Sequence, residues 1–218
     1  MDPFHARLAR VSLAVAERYG FCLAGGYAVQ AHGFIERRSE DIDLFTTMAA
    51  EADFPDAVEA VAAALRADGL DVTVQRNGPT FARLAVAGLD DGASARVELG
   101  VDWRAFPPGR LEIGPVLHPD DAVANKLCAL FGRAEVRDYI DVDGIVRSCR
   151  YSLPELIRLA TEHDPGFDAR IFTEALDAVQ RLADSAFEVY DMSPAEALAL
   201  KKRIVRYAAQ IRTAEADQ

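Results

Sequence analysis

"GGYAVQAHGFIERRSEDIDLF", residues 25–45, places two carboxylates on alternate positions behind a glycine pair and a run of basic residues. In a strand, side chains two apart share a face, so Asp41 and Asp43 project together while Ile42 and Leu44 enter a core. Adjacent carboxylates repel unless a cation lies between them, and oxygen-only ligation suits Mg2+ or Mn2+ far better than zinc. A third acid follows in "ARVELGVD", residues 95–102, where Val97, Leu99 and Val101 line one face of a strand and Glu98 the other. If that strand lies beside 41–45, three carboxylates converge where two metals could hold a triphosphate for an in-line displacement. Asp102 is the reserve for the third position. Gly25 and Gly26 fit the same chemistry, because a turn with little side chain lets backbone N–H groups approach a phosphate.

Outward from this stretch, Phe4, Leu8, Val11, Val15 and Tyr19 recur at helical spacing, and Gly20 ends the helix. Phe21–Ala24 reads as a buried strand entering the glycine turn, and Tyr27–Gly33 as one or two helical turns. Pro55 opens a helix that Gly69 closes. Strands are expected over 71–75, 81–87 and 95–101, separated by the turn clusters RNGP and DDG. After "FPPGRLEIGPVLHP" the pattern turns helical, over 120–131, 135–146, 152–163, 168–182 and 193–212. Ser152 with Glu155, and Ser193 with Glu196, form capping boxes that start two of these helices. The expected class is α+β: a mixed-sheet domain over 1–115 and a C-terminal helical bundle over 116–218.

A chain of 218 residues, half of them apolar, can bury a good-sized core. It has no apolar run near the roughly 20 residues that span a bilayer and no signal-peptide layout, so a cytoplasmic protein without a membrane partner is expected. Cys22, Cys128 and Cys149 form no CxxC pair and read as reduced thiols. The formal charge of −11 argues against nonspecific coating of nucleic acid, although it leaves local basic patches open.

The order of strand, glycine pair, short helix, basic residues and DxD strand resembles the first motif of polymerase β-like nucleotidyltransferases. It is most similar to the AbiEii/AbiGii-type toxins, which pair a glycine-rich turn with R-S/T-x-D-I-D-L-F. A second block, "DDAVANKLCALFGRAEVRDYIDVDGIV", residues 120–146, resembles that family's later signature, in which a lysine is followed by R-D-x-x-D. The two motifs stand in the right order, and the resemblance covers roughly residues 20–150. It implies a polymerase β-like fold in which Asp41 and Asp43 bind metal, with Glu98 as the third carboxylate. It further implies that Gly25 and Gly26 hold phosphates, joined by Arg38 and Ser39, and that Lys126 reaches the triphosphate or the reacting centre. Arg137, Asp138 and Asp141 would complete the active site from the next helix. Taken alone, Lys126 reads as a surface lysine on an amphipathic helix. Arg37 could bind phosphate or balance the surrounding acids, and Arg38 is favoured over it because it fits the motif.

The same resemblance implies transfer of nucleotides from an NTP, with Mg2+ or Mn2+ as cofactor and the 3′ end of tRNA as acceptor, blocking translation. It also implies a cognate antitoxin, and regulation by a phosphate on Ser39, which would set roughly −2 charge beside the carboxylates. Arg133, Arg137, Arg147, Arg150, Lys201, Lys202, Arg203, Arg206 and Arg212 are the residues expected to face RNA. The rival readings are transfer to a small molecule such as a cationic aminoglycoside or to a protein hydroxyl, and a catalytically silent nucleotide-binding protein.

Overall fold

Asp2 accepts hydrogen bonds from the N–H groups of Phe4 and His5, and Pro3 occupies the first turn, so the chain enters helix α1 (Pro3–Ala16) at once. The computed structural model describes residues 1–37, 39–89 and 92–216. These fall into two compact units, Met1–Gly33 with Arg38–Ala122 and Phe34–Arg37 with Val123–Gln218.

The first unit is built on strands β1 (Cys22–Leu23), β2 (Asp41–Thr46), β3 (Leu70–Asn77), β4 (Phe81–Gly88), β5 (Ser94–Val101), β6 (Gly109–Leu111) and β7 (Gly114–Val116). They form one mixed sheet in the order β3-β4-β5-β2-β1-β7-β6. Helix α2 (Gly25–Ala31) joins β1 to β2, and α3 (Phe54–Ala67) joins β2 to β3. Alternation decides which face is which: Ile42 and Leu44 of β2, Leu84 and Ala82 of β4, and Val97 and Leu99 of β5 are fully buried. Val61 and Leu65 of α3 and Leu8 of α1 are equally buried, and α1 packs on α3 and β2. Each of the larger aliphatic side chains contributes roughly 1.5–3 kcal/mol on burial.

Two local expectations change. The glycine pair opens α2 itself, where a turn ahead of the helix was expected, with Gly25 at φ 57° and Ala24 as the N-cap. The segment read as a boundary between domains contains the β6–β7 hairpin, in which β7 pairs parallel to β1 through Leu23 and Val116. Three-residue strands carrying Pro115 leave no alternation to read.

The helical unit continues α4 (Pro119–Arg133) and adds α5 (Val136–Arg147), α6 (Leu153–His163), α7 (Ala169–Asp177) and α8 (Pro194–Ala216). Both serine–glutamate capping boxes form: Ser152 Oγ accepts from the Glu155 N–H, and the Glu196 carboxylate accepts from the Ser193 N–H. Asp143 of α5, 3% exposed, is gripped by Arg203 of α8 at 2.8 and 2.7 Å and by the Tyr207 hydroxyl at 3.1 Å. The four residues Phe34–Arg37 belong to this unit although they lie far from it in sequence. The Phe34 ring packs against Tyr151 and under the Arg150 guanidinium, which is 3.5 Å from its centroid. Ile35 lies so close to Gly144 that a methyl group there would fall 2.5 Å from Ile35 Cγ2.

Candidate active site

In the sheet unit, register assembles the charges. β2 and β5 run parallel, with Asp41 opposite Arg96 and Asp43 opposite Glu98. β4 lies antiparallel on the far side of β5, with Arg83 opposite Glu98. Residues paired across a ladder share a face, so Asp41, Asp43, Glu98, Arg96 and Arg83 occupy one side of the sheet, away from the core residues Ile42, Leu44, Val97 and Leu99. The condition attached to the third acid, that its strand lie beside 41–45, is met. Glu98 is the acid in register with Asp43; Asp102 follows the end of β5, and its carboxylate accepts from the Trp103 N–H at 2.8 Å.

The carboxylates are not bare. Arg96 Nε donates to Asp41 Oδ1 at 2.5 Å, and Arg83 Nε donates to Glu98 Oε1 at 2.7 Å. Contact with Asp41, by hydrogen bond and charge, raises the pKa of the Arg96 guanidinium. Among the described residues, no three His, Cys, Asp or Glu side chains gather closely enough to ligate a single ion. Asp41, Asp43 and Glu98 thus share a sheet face without closing into the three-carboxylate cluster expected from the sequence. The carboxylates of Asp41 and Asp43 are the donor type that Mg2+ takes, alongside water and substrate phosphates.

Gly25 sits against Asp43. A Cβ at Gly25 would fall 1.8 Å from Asp43 Oδ2, and its φ of 57° is left-handed. Gly33 supplies an internal control, with φ 72° and open space around it. Gly25→Ala and Gly33→Ala should both cost roughly 1–2 kcal/mol from the backbone alone. The excess cost of Gly25→Ala in urea denaturation is expected to report the displaced Asp43; equal costs would show that the close approach does not matter.

Ser39 is buried, its hydroxyl donating to the Asp41 carbonyl at 3.4 Å and its own carbonyl accepting from the Tyr27 hydroxyl at 3.2 Å. Arg38, favoured for phosphate, lies outside the described residues.

The helical unit holds a second charged cluster. Lys126 of α4 is not a surface lysine: it is 6% exposed, and its Nζ lies 2.9 Å from Asp141 Oδ2. Asp141 is fully buried and also receives Arg37, with Nε at 2.5 Å from Oδ1 and Nη2 at 2.7 Å from Oδ2. Burial pushes the Asp141 pKa up, but Lys126 and Arg37 outweigh it and hold the carboxyl below the ordinary aspartate value. Burial likewise pulls Arg37 down, and Asp141 more than restores it. Arg37 is the member of this cluster that the sequence reading passed over. Its partner is 104 residues away, so no local spacing reveals it.

Asp138 acts on Arg37 by charge but makes its own hydrogen bonds elsewhere. It accepts from Arg133 at 2.8 Å and from the Glu135 N–H at 3.1 Å, closing a capping box at the start of α5. Arg137 pairs with Glu135 at 2.9 Å. The other basic residues expected to face RNA are largely occupied by local acids: Arg203 by Asp143, Arg212 by Asp177 and Lys201 by Asp184. Lys202 and Arg206 are exposed on α8.

The family described as nucleotidyl transferase AbiEii toxin, type IV toxin–antitoxin system, matches residues 7–216. No curated protein matches the sequence. Among solved structures, JHP933 from Helicobacter pylori is similar at 18% identity and a TM-score of 0.61, over 98% of this chain and 94% of that one. MenT4, a nucleotidyltransferase toxin from Mycobacterium tuberculosis, is similar at 18% identity and a TM-score of 0.58, over 96% of this chain and 83% of that one. At such identities these two likenesses speak for the fold, whereas the family match runs through both motif blocks and nearly the whole chain. The chain belongs to the AbiEii family of nucleotidyltransferase toxins of type IV toxin–antitoxin systems.

Proposed function

We propose that this toxin transfers a nucleotidyl group from an NTP to RNA, with the 3′ end of tRNA as the acceptor and Mg2+ as cofactor. The observation that carries the reading is the β2–β5 register, which sets Asp41, Asp43 and Glu98 on one sheet face with Gly25 against Asp43. In the reaction the acceptor hydroxyl oxygen loses its proton to solvent and bonds to the α-phosphorus, the bond from that phosphorus to the pyrophosphate oxygen breaks, and pyrophosphate leaves with the electron pair. Asp41 and Asp43 would hold Mg2+, while Glu98 lies one strand over on the same face, paired with Arg83. Bound there, the cation supplies charge neutralisation to the phosphates and lowers the pKa of the attacking hydroxyl. Gly25 and Gly26 leave the backbone open to phosphate oxygens.

Lys126 is the proposed phosphate-directed cation of the helical unit. Two cations, Arg37 and Lys126, meet the buried carboxylate of Asp141, which would hold the Lys126 ammonium in place for an anionic substrate. Asp141 orients both cations by fixed hydrogen bonds. An antitoxin partner follows from the type IV system to which the family belongs.

Incubation with each α-labelled NTP in turn, total tRNA and Mg2+ tests the reading. Label is expected in tRNA with at least one NTP and is expected to vanish with EDTA. Label appearing in a small molecule or protein, or nowhere, would overturn the RNA acceptor.

A further inference from the structure

Arg96 touches two things at once. Its Nε meets Asp41, its Nη2 reaches Glu40 at 3.5 Å, and its side chain also lines a groove of about 410 Å3 on the same sheet face. The groove floor is made of Ala85 and Ala87, with Thr73 and Ser94 offering hydroxyls and Asp71 a carboxylate. A flat alanine floor admits a planar base or a ribose, and the hydroxyls and acids can pair with ribose hydroxyls and base amines. Among the described lining residues Arg96 is the cation, set beside the carboxylates of Glu40 and Asp71. The volume and donor set suit a nucleotide whose phosphate meets that guanidinium.

Burial separates this ion pair from the Arg37–Asp141 pair. The Arg37–Asp141 pair is 6% and 0% exposed and is locked by two hydrogen bonds, so opening it would strand buried charges. The Arg96 side chain is 42% exposed, so it can swing into solvent or onto a ligand at little cost. Phosphate offers a guanidinium a bidentate partner at least as good as a carboxylate. A divalent cation held by Asp41 would compete with the guanidinium for that carboxylate.

We propose that Arg96 is a latch: it occupies Asp41 until a phosphate-bearing RNA end enters the groove and draws the guanidinium away, which frees the carboxylate for a divalent cation. RNA and metal then bind with positive cooperativity, and by linkage each tightens the other equally. The inference rests on the reading of Asp41 as a metal ligand.

Mn2+ titration followed by electron paramagnetic resonance, with and without the trinucleotide CCA and without NTP, tests both statements separately. Wild-type protein should bind Mn2+ several-fold more tightly when CCA is present. Arg96→Ala should bind Mn2+ about fivefold more tightly than wild type without RNA, the scale of a partly exposed ion pair, and should gain nothing from CCA. Arg96→Lys, which keeps the charge without the planar fork, should fall between them. If wild type binds Mn2+ in a manner that Asp41→Asn abolishes, but Arg96→Ala matches wild type with and without CCA, the latch is wrong and the metal reading stands. If Mn2+ binding is absent, or indifferent to Asp41→Asn, both fall.

Discussion

Asp43→Asn is expected to lower nucleotidyl transfer by about a thousandfold, roughly 4 kcal/mol of transition-state stabilisation, with the protein still folded. The substitution keeps the shape of the side chain and one acceptor oxygen against Gly25, so the close packing at the start of α2 survives. What it removes is a negative charge, and charge is what holds a divalent cation beside a triphosphate. Asp41→Asn should be comparably inactive but less innocent structurally, because Arg96 loses its carboxylate partner. Labelled-NTP transfer measured alongside far-ultraviolet circular dichroism and thermal midpoint separates these effects. A folded Asp43→Asn protein with a tenth or more of wild-type activity would remove the two-carboxylate mechanism.

Asp141→Ala should have the largest effect on stability. It strands two cations, Arg37 at 9% and Lys126 at 6% exposure, and breaking such a buried cluster costs about 3–5 kcal/mol. In a chain of this length that corresponds to a fall of about 10 °C in thermal midpoint. Lys126→Gln leaves the two Arg37 hydrogen bonds to Asp141 in place, so its midpoint should fall far less while transfer drops by about a hundredfold or more. Equal losses of stability in the two variants would make Lys126 a structural residue. The pH dependence has a definite sign. The folded pKa of Asp141 lies below its unfolded value, so its ionisation stabilises the protein above about pH 4 and that contribution disappears as the pH falls through the lowered folded value. Asp141→Asn should therefore show a flatter acid limb than wild type in midpoints measured from pH 7 to 3.

Period-two alternation was sufficient to place β2, β4 and β5 and to tell inward Ile42, Leu44, Val97 and Leu99 from outward Asp41, Asp43 and Glu98. It says nothing about which strands are neighbours, so the meeting of Asp43 with Glu98 stayed conditional until the parallel pairing was seen. Helix starts were legible wherever a side chain does the capping, as at Ser152 and Ser193, and illegible at α2, whose N-cap is an alanine with no side-chain hydrogen bond. Lys126 lay in a recognisable motif, yet its burial against Asp141 shows only once α4 and α5 are folded. The arginine partners of Asp41 and Glu98 were hidden for the same reason: Arg96 and Arg83 look like ordinary outward strand residues until the ladder aligns them.

The membership of Phe34–Arg37 in the helical unit makes that unit discontinuous in sequence. A fragment beginning at residue 123 would omit the ring that packs on Tyr151, the isoleucine wedged against Gly144 and one of the two cations on Asp141. Grafting the C-terminal half of this toxin onto a relative is therefore not a one-junction operation. A chimera that exchanges residues 123–218 but keeps the host's own tetrapeptide ahead of the DxD strand would mismatch that seam, and recombination within this family should succeed only when both pieces travel together.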